Sequence, residues 1–192
     1  VELRPEDKGT KAQQAEVVDT YKAQVGMKTW YHVSLFVPQD INLSSQSSCA
    51  LAQWKGGVFA SNPALPAPLS LNIDGQGTFT VKAGFFPSTK SPSDYSLQDI
   101  YTEHNFNKQE WNDFLFEVYW SPRADGFVNV WKNGELITSY QGPVGFDARH
   151  KEDQGPSLYL GMKCDQAPLS KLVIYYDMYR RAPTYSDIRI KE

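Results

Sequence analysis

Alternation of apolar and polar residues with a period of two constrains this chain more than any other feature. In Trp30-Tyr31-His32-Val33-Ser34-Leu35-Phe36-Val37-Pro38, Tyr31, Val33, Leu35 and Val37 share one face while His32 and Ser34 fall on the other, the pattern of a half-buried strand. Pro38 has no N–H to give a ladder and ends the run. Comparable runs span Ala50 to Lys55, Leu69 to Ile73, Thr78 to Ala83, Phe114 to Trp120, Phe127 to Lys132, Glu135 to Tyr140, Leu158 to Cys164 and Lys171 to Tyr179. Asp74-Gly75-Gln76-Gly77, Asp125-Gly126 and Asn133-Gly134 supply the positive-φ residues that hairpins use between such runs. Many short antiparallel strands with frequent turns predict an all-β chain, a two-sheet sandwich or jelly roll. Short helical turns are expected only near Ser96 to Tyr101 and Lys108 to Trp111.

At 192 residues the chain is read as a single domain, 1–192, large enough to bury a core without metal or disulfide staples. No apolar run approaches the roughly 18 residues of a membrane helix, so no membrane partner is expected. The first eight residues are charged and lack the apolar core of a signal peptide, which implies a targeting segment absent or already removed. Nineteen basic residues against 22 acidic ones, with no basic cluster, speak against nucleic acid. Cys49 and Cys164 form either one long-range disulfide or two buried thiols, since simple alternation puts Cys49 on the face of Gln53 but Cys164 opposite Lys163. Aromatic residues make up 14% of the chain, an excess that suits a β-rich core and also stacking on sugar rings. Trp111, Trp120 and Trp131 are expected in the core, Trp131 with the weakest claim. The stretches Gly84 to Glu110 and Gln141 to Gly155 read as long irregular loops that could wall a cleft, and they carry His104 and His150.

Two segments read together resemble a known family. Tyr31 to Pro38 followed by Leu51-Ala52-Gln53-Trp54-Lys55-Gly56 is similar to the "Y-x-F-S-x-x-x-P … A-Q-W-H-G" stretch of the heparin lyase I and glucuronan lyase group of polysaccharide lyases. Trp111 to Trp120 with Gly126 to Gly134 resembles that group's "W-x-x-F-x-x-x-x-x-W … G-x-x-x-V-W-x-N-G". Leu158 to Lys163 with Val173 to Asp177 resembles its closing strands, "Y-x-K-x-G-I-Y-R … V-Y-x-D", and Gln14-Ala15-Glu16 its early "R-A-E-F", with Gln14 where the motif has arginine. The resemblance implies a concanavalin A-like jelly roll, two antiparallel sheets with a concave cleft for an acidic polysaccharide.

It also implies β-elimination: a base removes the C5 proton of a uronic acid, a cation or amide offsets the charge on the adjacent carboxylate, and an acid assists departure of the C4 oxygen. The implied site is Gln53, Lys55, Tyr159 and Lys163. Gln53 is retained; Lys55 stands where the heparin lyases have a histidine, and the group's strand lysine and tyrosine are exchanged, as Tyr159 and Lys163. Gln53 and a lysine would neutralise the carboxylate, and Tyr159 would be acid and base if a neighbouring ammonium lowers its pKa; a lysine with a depressed pKa is the alternative base. Gly161 between Tyr159 and Lys163 would leave a flat floor. His32, Asn72, Thr80 and Lys82 are candidate substrate ligands. No cofactor is needed for this chemistry; Asp177 stands where related jelly rolls often hold a structural calcium. The carboxylate strand of glucan hydrolases on this fold is absent. The expectation is a secreted, monomeric lyase acting on an acidic polysaccharide, the alternative being a non-catalytic carbohydrate-binding module on the same scaffold.

Overall fold

A computed structural model describes residues 1–4, 13–56, 67–86, 95–146 and 155–189. Its strands are β1 (Glu2–Leu3), β2 (Gln13–Val18), β3 (Lys28–Phe36), β4 (Ser48–Lys55), β5 (Leu69–Asp74), β6 (Phe79–Phe86), β7 (Ser96–Glu103), β8 (Trp111–Tyr119), β9 (Phe127–Lys132), β10 (Glu135–Gln141), β11 (Gly145–Phe146), β12 (Ser157–Cys164), β13 (Leu172–Val173) and β14 (Tyr175–Ala182), followed by one helical turn, α1 (Tyr185–Ile188). They form a five-stranded sheet, β10-β9-β8-β3-β14, and a seven-stranded sheet, β11-β6-β5-β4-β12-β2 with β7 on β6; β1 pairs with β13. The all-β, antiparallel jelly-roll sandwich expected from the alternation is what forms.

The inward residues of both sheets make the core. Tyr31, Val33 and Leu35 of β3 and Phe114, Phe116 and Val118 of β8 are buried against Trp54, Leu71 and Val81 of the other sheet. Trp54 joins the layers, its ring 5.3 Å from Tyr31 and 4.9 Å from Phe116. The β9–β10 hairpin turns at Asn133 (φ 51°) and Gly134 (φ 85°), two positive φ values in a row, which is why the sequence there reads Asn-Gly.

Several expectations are corrected. Ser96 to Tyr101 is strand, not helix: β7 lies outside β6 on the sheet's edge and buries none of its residues fully, so no apolar alternation marks it. The stretch Gly84 to Glu110 is thus not one irregular loop. Lys108 to Trp111 holds no helix; the helical turn is α1. The run Lys171 to Tyr179 breaks at Ile174 into β13 and β14. Trp120 is buried as expected, but Trp111 is 47% exposed, because the inward phase of β8 starts with Asn112 and leaves Trp111 on the outer surface. Residues 147–154 of the second stretch, His150 among them, lie outside the described residues.

Strand β4 departs from simple alternation where it matters most. Its pairing with β5 shifts between Ala50 and Ala52, and its pairing with β12 shifts between Leu160 and Lys163. The bulge at Leu51 reverses the faces of the strand on either side of it. Cys49 therefore points inward with Cys164 while Gln53 points outward, and the two cysteines, direct partners across the ladder, form a disulfide. The Tyr176 hydroxyl, reaching across the core from β14, donates to the carbonyl oxygens of Leu51 (2.7 Å) and Gly161 (3.2 Å), one in each irregular segment. Burial pushes its pKa well up, so it remains a donor. Tyr176→Phe leaves both carbonyls without that donor and is expected to lower stability by about 1–3 kcal/mol in urea unfolding; an unchanged midpoint would mean the bulge holds itself.

Candidate active site

The outer face of the seven-stranded sheet gathers the chemistry. Three neighbouring strands, β4, β12 and β2, build its centre. Gln53 and Lys55 point outward on either side of buried Trp54, and Tyr159, Gly161 and Lys163 share the outward face of β12. Tyr159 lies directly across the ladder from Gln53, and Gly161 directly across from Glu16 of β2.

Glu16 is the residue that sequence reasoning passed over. Its side chain is only 7% exposed, and its carboxylate accepts hydrogen bonds from Gln53 Nε2 (2.9 Å) and from Lys55 Nζ (3.0 Å to Oε1, 2.8 Å to Oε2). Glu16 and these partners stand on opposite sides of β12, so the carboxylate crosses that strand where the residue opposite it is glycine. Gly161 has φ 137°, and a Cβ built there would sit 2.1 Å from the Ala15 carbonyl oxygen, so no larger residue fits. The floor expected to be flat at Gly161 is instead bridged by Glu16. The signal in the sequence was the Gln14-Ala15-Glu16 match itself, whose glutamate carries the contact although its arginine is replaced.

Lys55 also lies over the Tyr159 ring, Nζ 4.3 Å from the centroid. Its charge is thus met by a carboxylate and an aromatic face. Lys163 is partly buried on the same face. Partial burial first, and then the positive charge of Lys55, hold its pKa below the ordinary 10.5 of lysine, while Glu16 acts in the opposite direction. The centre can therefore present a carboxamide, a phenol and an amine more easily deprotonated than usual.

The face continues over β5, β6 and β7. Asn72, Thr80 and Lys82 lie on it as expected: Asn72 Nδ2 donates to Ser70 Oγ (2.9 Å), and Lys82 Nζ to Asp99 Oδ1 (2.6 Å) across the β6–β7 ladder. His32 is not with them. Alternation gave its face but not its sheet: it lies on the outer surface of the five-stranded sheet, on the opposite side of the sandwich, with Nε2 3.7 Å from Asp113 Oδ1. His104 lies exposed in the turn after β7. Asp177 shares the outer surface of His32 and accepts the backbone N–H of Met178 (2.8 Å). Calcium takes six to eight oxygen ligands, and no group of three or more His, Cys, Asp or Glu that could hold a metal occurs among the described residues.

Comparison with known proteins agrees with this architecture. An endo-β-1,4-glucuronan lyase from the fungus Trichoderma reesei superposes with a TM-score of 0.76 at 13% identity, over 97% of this chain and 81% of that one. An alginate lyase, AlyC3, solved in complex with dimannuronate, gives 0.59 at 9% identity over 88% and 70%. The catalytic domain of a glycoside hydrolase family 131 protein from Coprinopsis cinerea gives 0.61 at 12% identity over 96% and 69%, so the fold alone does not choose the chemistry. No curated protein sequence matches the chain. The family model described as polysaccharide lyase does match, over residues 1–180, nearly all of the strands described above, and the chain belongs to that family of lyases.

Proposed function

We propose that this lyase cleaves a uronic-acid polysaccharide by β-elimination on the outer face of the seven-stranded sheet, with Gln53 holding the substrate carboxylate and Lys163 and Tyr159 moving the protons. The observation that carries this reading is the convergence of those three side chains on one face around a buried Glu16–Lys55 pair. Gln53, 4% exposed, donates one amide hydrogen to Glu16, and its second amide hydrogen is the one this reading gives to the substrate carboxylate. Neutral Lys163 takes the C5 proton; the electron pair is delocalised into the carboxylate held by the amide; the C4–O bond then breaks, and the departing oxygen takes the Tyr159 proton. The product is a 4,5-unsaturated uronate. Lys55 fixes Tyr159 and Gln53 through its ring contact and Glu16 rather than meeting the substrate itself.

The test is ultraviolet absorbance of the unsaturated product on a panel of glucuronan, alginate, pectate and heparin. Tyr159→Phe is expected to lower kcat about a hundredfold or more with KM nearly unchanged. The acid limb of kcat/KM reports deprotonation of Lys163 and lies below pH 10.5. Lys55→Met removes a neighbouring positive charge, so the limb moves to higher pH. A limb that stays in place takes the base role away from Lys163.

One observation favours the binding-module reading instead: the ionic groups Glu16 and Lys55 neutralise each other within the face. Binding to an acidic glycan with no absorbance rise on any polymer selects that reading. The Cys49–Cys164 disulfide supports an oxidising compartment, hence a secreted protein.

A further inference from the structure

We propose that the outer surface of the five-stranded sheet is a second, non-catalytic polysaccharide-binding surface that holds a uronate chain along β3; its ligand class rests on the function proposed above. Strand β3 carries an aromatic station near each end. At Trp30 the indole stacks on Trp131 of β9 with centroids 5.6 Å apart and meets Tyr185 of α1 at 5.1 Å. At Phe36 the ring meets Trp111 at 5.7 Å and Tyr175 at 5.9 Å. The stations lie six residues apart on one strand, roughly 20 Å.

At the first station Trp30 packs with Ala182 and Ile188, with Leu115 and Trp131 against them, whereas the second lies outside the core clusters. Trp111 and Tyr175 are 47% and 52% exposed, a large aromatic surface left in water. The Trp30 station borders a cavity of about 710 Å³, within the usual range of small-ligand sites, whose wall combines these rings with His32, Asp113 and Arg189. Trp30 is 7% exposed and forms the packed floor of this station, so the rings offered to a ligand are the partly buried Trp131 and the exposed Tyr185. Flat rings with scattered hydrogen-bonding groups suit the apolar faces and hydroxyl edges of pyranoses. Arg189, a planar fork with no ion pair among the described residues, supplies the cation for a carboxylate-bearing sugar at the Trp30 end, while the two carboxylates that flank the middle of β3 are engaged, Asp113 by His32 and the Ser34 hydroxyl and Asp177 by the Met178 N–H. A chain held here lies on the side of the sandwich away from Gln53, so the two surfaces engage different segments of one polymer and raise its effective concentration at the site.

Affinity electrophoresis of the intact protein in gels containing glucuronan, alginate or a neutral β-glucan tests this, alongside cleavage of short uronate oligosaccharides. Trp111→Ala/Trp131→Ala is expected to weaken retardation by the acidic polymer about tenfold while oligosaccharide kcat/KM stays within twofold of wild type. Arg189→Gln, which leaves the rings in place and so answers any concern over folding, should weaken retardation by acidic polymers only. Equal retardation of wild type and the double variant overturns the second surface whatever the substrate. A double variant that changes oligomeric state in size-exclusion chromatography but not glycan retardation makes the surface a protein interface and also overturns it. Retardation by the neutral glucan alone, lost in the double variant, keeps the surface and overturns the uronate assignment instead.

Discussion

Lys163→Met is expected to lower kcat/KM on the cleaved polymer by about a hundred- to ten-thousand-fold, the range that a positioned general base supplies. The substitution keeps the length of the side chain and removes only the amine, and Lys163 stands on a sheet face rather than in the core, so the fold should be retained. Lys163→Arg separates two roles. If the residue acts through its charge, beside the substrate carboxylate, arginine restores most of the rate; if it acts as a base, the guanidinium, which cannot be deprotonated in a protein, leaves the enzyme as slow as the methionine variant. The depressed pKa of Lys163, caused by burial and then by Lys55, favours the second result. Full activity in Lys163→Met, measured by absorbance of the unsaturated product, would return both proton transfers to Tyr159.

Cys49→Ala/Cys164→Ala is the substitution with the largest expected effect on stability, about 2–5 kcal/mol in denaturant unfolding, with a fall in Tm on the order of 10 °C. The bond joins residues 115 apart in sequence, so in the unfolded chain it removes much of the entropy of a long loop. In the folded chain it ties β4 to β12 two and four positions from the bulge and Gln53, respectively. A second effect is therefore expected, loss of activity at temperatures where the variant is still folded, because the pairing of Gln53 with Tyr159 is no longer pinned. A variant with wild-type midpoint would show that the core alone fixes the two strands.

Much of the sandwich was legible because a strand with one buried face writes a period of two into its residues; Tyr31, Val33 and Leu35 are the clearest case, and all three are in the core. What alternation cannot express is a bulge. Cys49 and Gln53 are four residues apart and would share a face in an unbroken strand; Leu51 puts them on opposite faces, so the disulfide could not be decided from spacing. Nor does alternation say which sheet a strand joins, and His32 was grouped with Asn72 and Lys82 for that reason. β7 is an edge strand with no apolar alternation to mark it, and Trp111, expected in the core, falls in the outward phase of β8. Gln53, Lys55, Tyr159 and Lys163 were brought together by their place in a family pattern, and the sheet does set them on one face. Glu16 went unused because a buried carboxylate declares itself only through partners that come from another strand.

The order of strands at the site also governs when activity can first exist. β2, β4 and β12 are neighbours in space, yet they come from residues 13–18, 48–55 and 157–164. A chain emerging from the ribosome has made β2 and β4 long before β12, the strand that must slip between them, and until then Glu16 has no route to Lys55 except through solvent. The seven-stranded sheet is therefore completed late, by a pairing of high contact order, which is intrinsically slow. Chains halted before residue 164 would carry Gln53 and Lys55 without the scaffold that makes them an active site.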